Sequence, residues 1–563
     1  MNVAECIVEA LVSEGVTLAA GIAGNDIGKL LDAIAARAEI DLMYPRTERV
    51  ALDICDGFAR ASGRIGVCFT DSGPAAANLM GAMVNSWGDA TPVLHFAGHN
   101  NRTSVPSRTT KELPFLEVFS PITKYAEIIR DPGQTAEIIR RAFMALRTGR
   151  PGPVVIGLPY DVSCMQLDSF HYRPVASRPA VRGGANPAAV TKAIELIGAA
   201  RRPYVYVGAG VLVAEATDAL VRFSELLTLP VATTLNGKSA FPENHPLSLG
   251  LGGFVRAAYT TLPAAVTADN ADLILTIGAG FRQHATEKAP RDGVQHVQVD
   301  VEGLELNRHH DADVALLGDA RVVIEQLIEA ASTHLPAERL RPLQARLDEL
   351  GELRARWNTV SEPLLHSREV PINPFRVTAE LNRLVDPAKT IILHDSGTVR
   401  GSTAQHYMAT TPRGFLGFGV ASAMGWTVGA AMGARKACPD KLVVAIVGEE
   451  AFNETALDIE TSVRAHAPVL FIVKNNRHHA WSERAGGKNR KLAVARYETG
   501  VDIGALARAL GAESIRVENP DAIAEALASG IRTVKAGRTT VIDIVTSRRN
   551  GTLDHLWENK PGD

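Results

Sequence analysis

The sequence predicts an α/β protein of three doubly wound parallel-sheet domains, and three observations carry that expectation. Short β-branched runs alternate with helical patterns and glycine-rich turns along the chain, as in parallel sheets covered by helices. Two stretches interrupt the pattern. One, over 169–187, holds Pro174, Pro179, Gly183 and Gly184 without apolar periodicity; the other, over about 337–374, is charged and helical until Pro371 and Pro374 break it. The length of 563 residues also exceeds what one core organises. The expected domains are 1–180, 185–335 and 370–550.

In the first domain, strands are expected at 66–69, 93–97 and 154–157. The second has strand candidates at 204–207 and 273–277, with helices over 188–199 and 214–227; the third has strands at 391–394, 443–447 and 469–473. Gly208-Ala209-Gly210 and Gly278-Ala279-Gly280 each follow a strand of the middle domain. They lack the full GxGxxG and its acidic partner, so close backbone packing is favoured there over FAD or an ADP-like nucleotide.

A net charge of −3 offers no basic patch for nucleic acid. No apolar run reaches membrane-spanning length, and the N-terminus lacks the basic start and apolar core of a signal peptide, so a cytoplasmic protein is expected. The cysteines (Cys6, Cys55, Cys68, Cys164, Cys438) are odd in number and form no CxxC pair, which argues against a disulfide framework or a zinc site.

Chemistry concentrates in two constellations. The first runs Arg46-Thr47-Glu48-Arg49, then DGFARASG over 56–63, a strand, and the turn from Asp71-Ser72-Gly73-Pro74 to Asn78. The second runs from Asp395-Ser396-Gly397-Thr398 through Gly419 to Met424-Gly425, then Gly448-Glu449-Glu450 and Asn475-Asn476. Their order resembles the pyrimidine-binding and diphosphate-binding domains of thiamine-diphosphate-dependent enzymes of the acetolactate synthase, pyruvate oxidase and benzoylformate decarboxylase type. The middle domain adds PVATTLNGKSAFPENHPL over 230–247, Asp300-Val301-Glu302 and Gly318-Asp319-Ala320, so the resemblance covers nearly the whole chain.

The resemblance implies a role for Glu48. Hydrogen-bonded to the aminopyrimidine ring nitrogen, a buried carboxylic acid favours the imino tautomer that removes the C2 proton of the thiazolium, and burial should raise its pKa. Gly24, Pro74, Asn78, Thr398, Met424, Gly448, Glu449, Glu450 and Asn476 fall on cofactor-binding positions. By the same pattern Mg²⁺ takes oxygen from Glu449, from the Asn476 amide and from the His478 backbone carbonyl. Glu449 and Asn476 lie 27 residues apart, so two strand ends would each bring one ligand.

Departures from the pattern bear on function. Glu449 and Glu450 stand where Asp and Gly are usual, placing a longer carboxylate and an added acid beside a diphosphate. Substrate-lining candidates are Asn25, Asp71, His99, Thr110, Lys111 and His284. His99, Thr110 and Lys111 replace the side chains that line the reacting centre in acetolactate synthases, and Lys111 could bind a carboxylate or phosphate. The family implies decarboxylation or carboligation of a small 2-keto acid or related carbonyl donor, through an ylid and an enamine. It also implies a homodimer or homotetramer with active sites between subunits. The alternatives are C–C cleavage of a diketone or acyl-CoA, or a non-catalytic homologue with an impaired metal site.

Overall fold

In the computed structural model, residues 1–104, 109–176, 182–253, 259–281, 291–417, 419–478 and 500–548 are described. They form three six-stranded sheets, every pairing within them parallel.

The first sheet has the order β2-β1-β3-β4-β6-β5, from β1 (Leu18–Gly21), β2 (Asp41–Met43), β3 (Gly66–Thr70), β4 (Val93–His99), β5 (Tyr125–Ile128) and β6 (Val154–Pro159). The second, β12-β11-β10-β7-β8-β9, uses β7 (Pro203–Val207), β8 (Val231–Thr233), β9 (Ser248–Leu251), β10 (Leu273–Ile277), β11 (Gln295–Asp300) and β12 (Val314–Leu317). The third, β14-β13-β15-β16-β18-β17, uses β13 (Thr390–His394), β14 (Phe415–Leu416), β15 (Leu442–Gly448), β16 (Leu470–Asn475), β17 (Glu513–Val517) and β18 (Thr540–Val545). Central strands such as β3, β7 and β13 are buried at every residue, which is why they read as continuous apolar runs. The α/β class with three parallel sheets is therefore the fold.

The first and third sheets share one core. The helix Glu48–Ser62 of the first packs along Trp426–Ala437 of the third, and a single apolar cluster runs through both. Glycines make the approach close. A Cβ on Gly433 would lie 1.9 Å from the Ile54 carbonyl oxygen, and one on Gly57 would lie 2.1 Å from the Ala430 carbonyl oxygen. Buried Asp56 pins the pair, accepting from Trp426 Nε1 at 3.0 Å, Ser86 Oγ at 2.7 Å and Arg60 Nε at 2.5 Å.

The middle sheet has its own core. Asp89 fastens it to the other two: its fully buried carboxylate accepts from Asn236 Nδ2 at 2.8 Å, Gly419 N at 3.1 Å and Arg60 Nη1 at 3.3 Å.

Candidate active site

At the carboxyl end of β15, Gly448 caps the helix Glu449–Thr455, so Glu449 occupies its first turn beside the end of β16. Both Glu449 oxygens are engaged: Oε1 accepts from His478 N at 2.8 Å and Oε2 from Asn476 N at 3.3 Å. Burial pushes this carboxyl up, and the two N–H groups pull it back. His478 thus meets Glu449 through its N–H, which leaves its backbone carbonyl, the expected metal ligand, out of this contact. The turn after β16 supplies donors that offset the buried carboxylate.

The Asn476 side-chain oxygen is buried with no hydrogen-bond partner among the described residues, a cost that a cation at this turn would relieve. Among those residues no three His, Cys, Asp or Glu side chains converge on a metal position. A divalent ion here would therefore rest on carboxylate and amide oxygens, the hard donors Mg²⁺ takes. Glu450 is half-buried in the same helical turn.

Asp395, after β13, organises the neighbouring segment. It is fully buried and accepts from Ser396 N at 2.7 Å, Gly425 N at 3.1 Å and Thr427 N at 3.0 Å. Burial raises its pKa and those bonds oppose the rise. Gly425, at φ 80°, turns the chain into the helix Trp426–Ala437, leaving Met424 partly buried against the shared core. Ser422 is left-handed at φ 57°, and Arg400 Nη2 donates to its hydroxyl. Thr398 begins the short helix Val399–Ala404 beside them.

On the first domain, Thr47 caps the helix Glu48–Ser62, and Glu48 occupies its first position. The Glu48 carboxylate accepts from Asn78 Nδ2 at 3.0 Å, and Asn78 closes the helix Pro74–Asn78. Within one chain Glu48 is half-exposed, so the burial expected of it is not met by the chain's own residues.

Beside that helix four segments converge. Lys111 Nζ lies 2.6 Å from Asp71 Oδ2 and 3.5 Å from Asp26 Oδ2, Asp26 N donates to Asp71 Oδ1 at 3.0 Å, and the Ser72 hydroxyl donates to Asp26. The hydrogen bond to Asp71 holds the Lys111 pKa above its ordinary value. Gly24 is required there, since a Cβ would strike the Asp71 carboxyl at 2.1 Å. His99 turns Nδ1 to the Asn100 carbonyl at 3.1 Å and meets Phe115 edge-on. Asn25, Pro74, Asn78 and Thr110 are exposed around this cluster. His284 lies outside the described residues.

The structure thus gathers Gly24, Asp71, Lys111, Pro74, Asn78 and Glu48 on one domain, and Thr398, Met424, Gly448, Glu449, Glu450 and Asn476 on another. Three acids had no role in the sequence reading: Asp26, Asp395 and Asp89. Asp26 lies one residue beyond Asn25, but nothing local announces an ion pair with a residue 85 positions away.

A cavity of about 430 Å³ opens where the three domains meet, beside Asn236, Asp300 and Arg400. Both glycine turns of the middle domain border it, yet they also press on each other: a Cβ on Gly208 would lie 2.1 Å from the Gly278 carbonyl oxygen.

Three family models match the chain. The N-terminal TPP binding domain of thiamine pyrophosphate enzymes matches residues 1–118, their central domain 190–327 and their C-terminal TPP binding domain 395–544. Among curated relatives, a probable acetolactate synthase large subunit of Methanococcus aeolicus is 31% identical over 94% of this chain and 90% of its own length. Acetolactate synthase isozyme 3 large subunit of Escherichia coli K12 is 27% identical, covering 99% of this chain and 98% of its own. Glyoxylate carboligase of Escherichia coli O157:H7 is also 27% identical, covering 99% and 96%.

Proposed function

The chain belongs to the thiamine-diphosphate-dependent enzymes of acetolactate synthase type and catalyses decarboxylation or carboligation with that cofactor, and from that premise we infer that it joins a decarboxylated 2-keto acid to a carbonyl acceptor. The relatives named acetolactate synthase and glyoxylate carboligase support a carboligating transferase over a simple lyase. A small carbonyl compound is its substrate. The observation that carries the reading is the pairing of a carboxylate at a helix start, Glu48, with a buried acid–amide turn, Glu449 and Asn476.

Bound thiamine diphosphate supplies a carbon acid whose conjugate base adds to carbonyl groups and then accepts the electron pair released with CO₂. The chain supplies position and proton control. Glu48 would hydrogen-bond the aminopyrimidine of the bound cofactor, its carboxylate positioned by Asn78. Met424 would support the bound cofactor, on a segment that Asp395 anchors. Glu449, Asn476 and the His478 backbone carbonyl would hold Mg²⁺ at the diphosphate end of the cofactor, with Thr398 and Gly448 alongside. Glu450 lowers affinity for the anionic cofactor unless the ion offsets its charge.

The site completes itself between subunits of a dimer or larger assembly. Supporting this, Glu48 is half-exposed, and Tyr44 (38% exposed) and Leu457 (61%) leave apolar surface beside the Arg46–Asp458 contact. The assembly works in the cytoplasm; in the structure, no helix is long and apolar enough to cross a membrane among the described residues. In the central cavity an ADP-like group or FAD is a second ligand reading, favoured by its volume and glycine rim.

Calorimetric titration with thiamine diphosphate and Mg²⁺, followed by a 2-keto acid screen read as CO₂ release, tests the function. Saturable binding and release from at least one donor are expected. No binding at millimolar cofactor would sink it. In the Glu48→Gln variant, exchange of the cofactor C2 proton, followed by NMR after deuterium quench, should fall by at least about 100-fold, as loss of a positioned acid–base group does. An unchanged rate removes Glu48 from the mechanism.

A further inference from the structure

The substrate-side cluster of the first domain carries an inference that rests on the carboligation reading and refines it. Asp26 and Asp71 oppose a single ammonium, Lys111, so two carboxylates against one cation leave one net negative charge. The side chains are 23%, 14% and 34% exposed respectively, so the group is partly reached by solvent.

It is also held still. The Ser72 hydroxyl and the Asp26 N–H tie the two carboxylates together. Gly24 lies against the Asp71 carboxyl, and a Cβ on Gly98 would come within 3.1 Å of Asp26. Lys111 itself is left-handed at φ 64°, and its carbonyl oxygen would lie 2.3 Å from a Cβ on Gly73. The loop therefore sits directly on the turn that opens the helix Pro74–Asn78, and that helix ends on the Asn78–Glu48 hydrogen bond. The charge stands one short helix away from Glu48. Among the described residues, Lys111 is the one cation paired with Asp26 and Asp71.

The donor's carboxylate leaves as CO₂, so it needs no lasting partner here. An acceptor keeps whatever charge it brings. We propose that the Asp26–Asp71–Lys111 triad selects an uncharged aldehyde as acceptor over a second 2-keto acid. The reaction then balances as one 2-keto acid anion, one aldehyde and one proton giving one 2-hydroxy ketone and one CO₂. The bond from the keto carbon to the carboxylate breaks, and its electron pair forms the bond to the aldehyde carbon. The aldehyde oxygen takes the proton.

Glycolaldehyde and glyoxylate differ little in size and by one charge, so competition between them isolates the effect. The cofactor-loaded enzyme is given its fastest donor from the CO₂ screen and equal concentrations of both acceptors, and the products are weighed by mass spectrometry. At least about a tenfold preference for glycolaldehyde is expected, the scale of one unit charge acting over several ångströms in a partly wet site. In Asp71→Asn and Asp26→Asn the preference should shrink about tenfold, and in Lys111→Met it should grow. Equal use of the two acceptors by the wild-type enzyme overturns the proposal without reference to any variant. A wild-type preference that both Asn variants leave intact overturns the triad as its cause. Absence of CO₂ release from every donor, seen before any acceptor is added, instead defeats the underlying carboligation reading and the proposal with it.

Discussion

Asp458 shows how much a single buried acid carries. It accepts from Arg46 N and Thr461 Oγ1, both on Oδ1 and both at 2.8 Å, and burial pushes its pKa up to about 6. A carboxyl raised in the fold contributes stability that is complete below the unfolded value of about 4 and is lost as pH climbs through 6. Asp458→Asn keeps an acceptor at Oδ1 and removes the ionisation. Its stability relative to wild type should therefore rise between pH 4 and pH 7, by as much as about 3 kcal/mol for a shift of this size. Urea melts of both proteins across that range check it, and parallel curves would count against the account. Residues like this are the least legible part of the chain. Glu48, Glu449 and Asn476 stand in recognisable local runs. Asp458 and Asp26 acquire their surroundings from segments hundreds or tens of positions away. Lys111 is an instance of the same difficulty. Its sequence neighbours allow an anion-binding or a solvated lysine, and only the fold brings two aspartates to it.

At the scale of elements, eight of the eighteen strands among the described residues were visible in advance, those that are short apolar runs buried on both faces, such as β3, β6 and β10. What periodicity does not reveal is which helices touch. The pairing of Glu48–Ser62 with Trp426–Ala437 depends on glycines whose missing Cβ atoms admit the facing backbone. Gly433→Ala should drive the helices apart and destabilise the protein by about 1–3 kcal/mol, the range of overpacked cores. Because one helix begins at Glu48 and the other just after Met424, cofactor affinity should weaken as well. Thermal melts with and without thiamine diphosphate read both effects, and a variant melting within a degree of wild type would refute the packing argument.

For the whole molecule, Asp89 concentrates the architecture in one carboxylate, bonded to the middle domain at Asn236 and to the third at Gly419. The sequence showed three domains but no sign of this junction, whose partners lie 147 and 330 residues away. Glu48, too, is left half-exposed by its own chain. If subunits complete the active site, specific activity should fall on dilution as the assembly dissociates, and sedimentation velocity over the same concentrations should show the loss of dimer. Constant specific activity in a monomeric range would argue for a site complete within the chain.

The helix pair has a consequence for genetics. Gly433 faces the carbonyl oxygen of Ile54, and Gly57 faces that of Ala430. Every amino acid carries that oxygen. A methyl added at either glycine therefore has no counterpart that a smaller side chain opposite could yield. Suppressors of Gly433→Ala should map to segments that let a whole helix slide, not to positions 54 or 430.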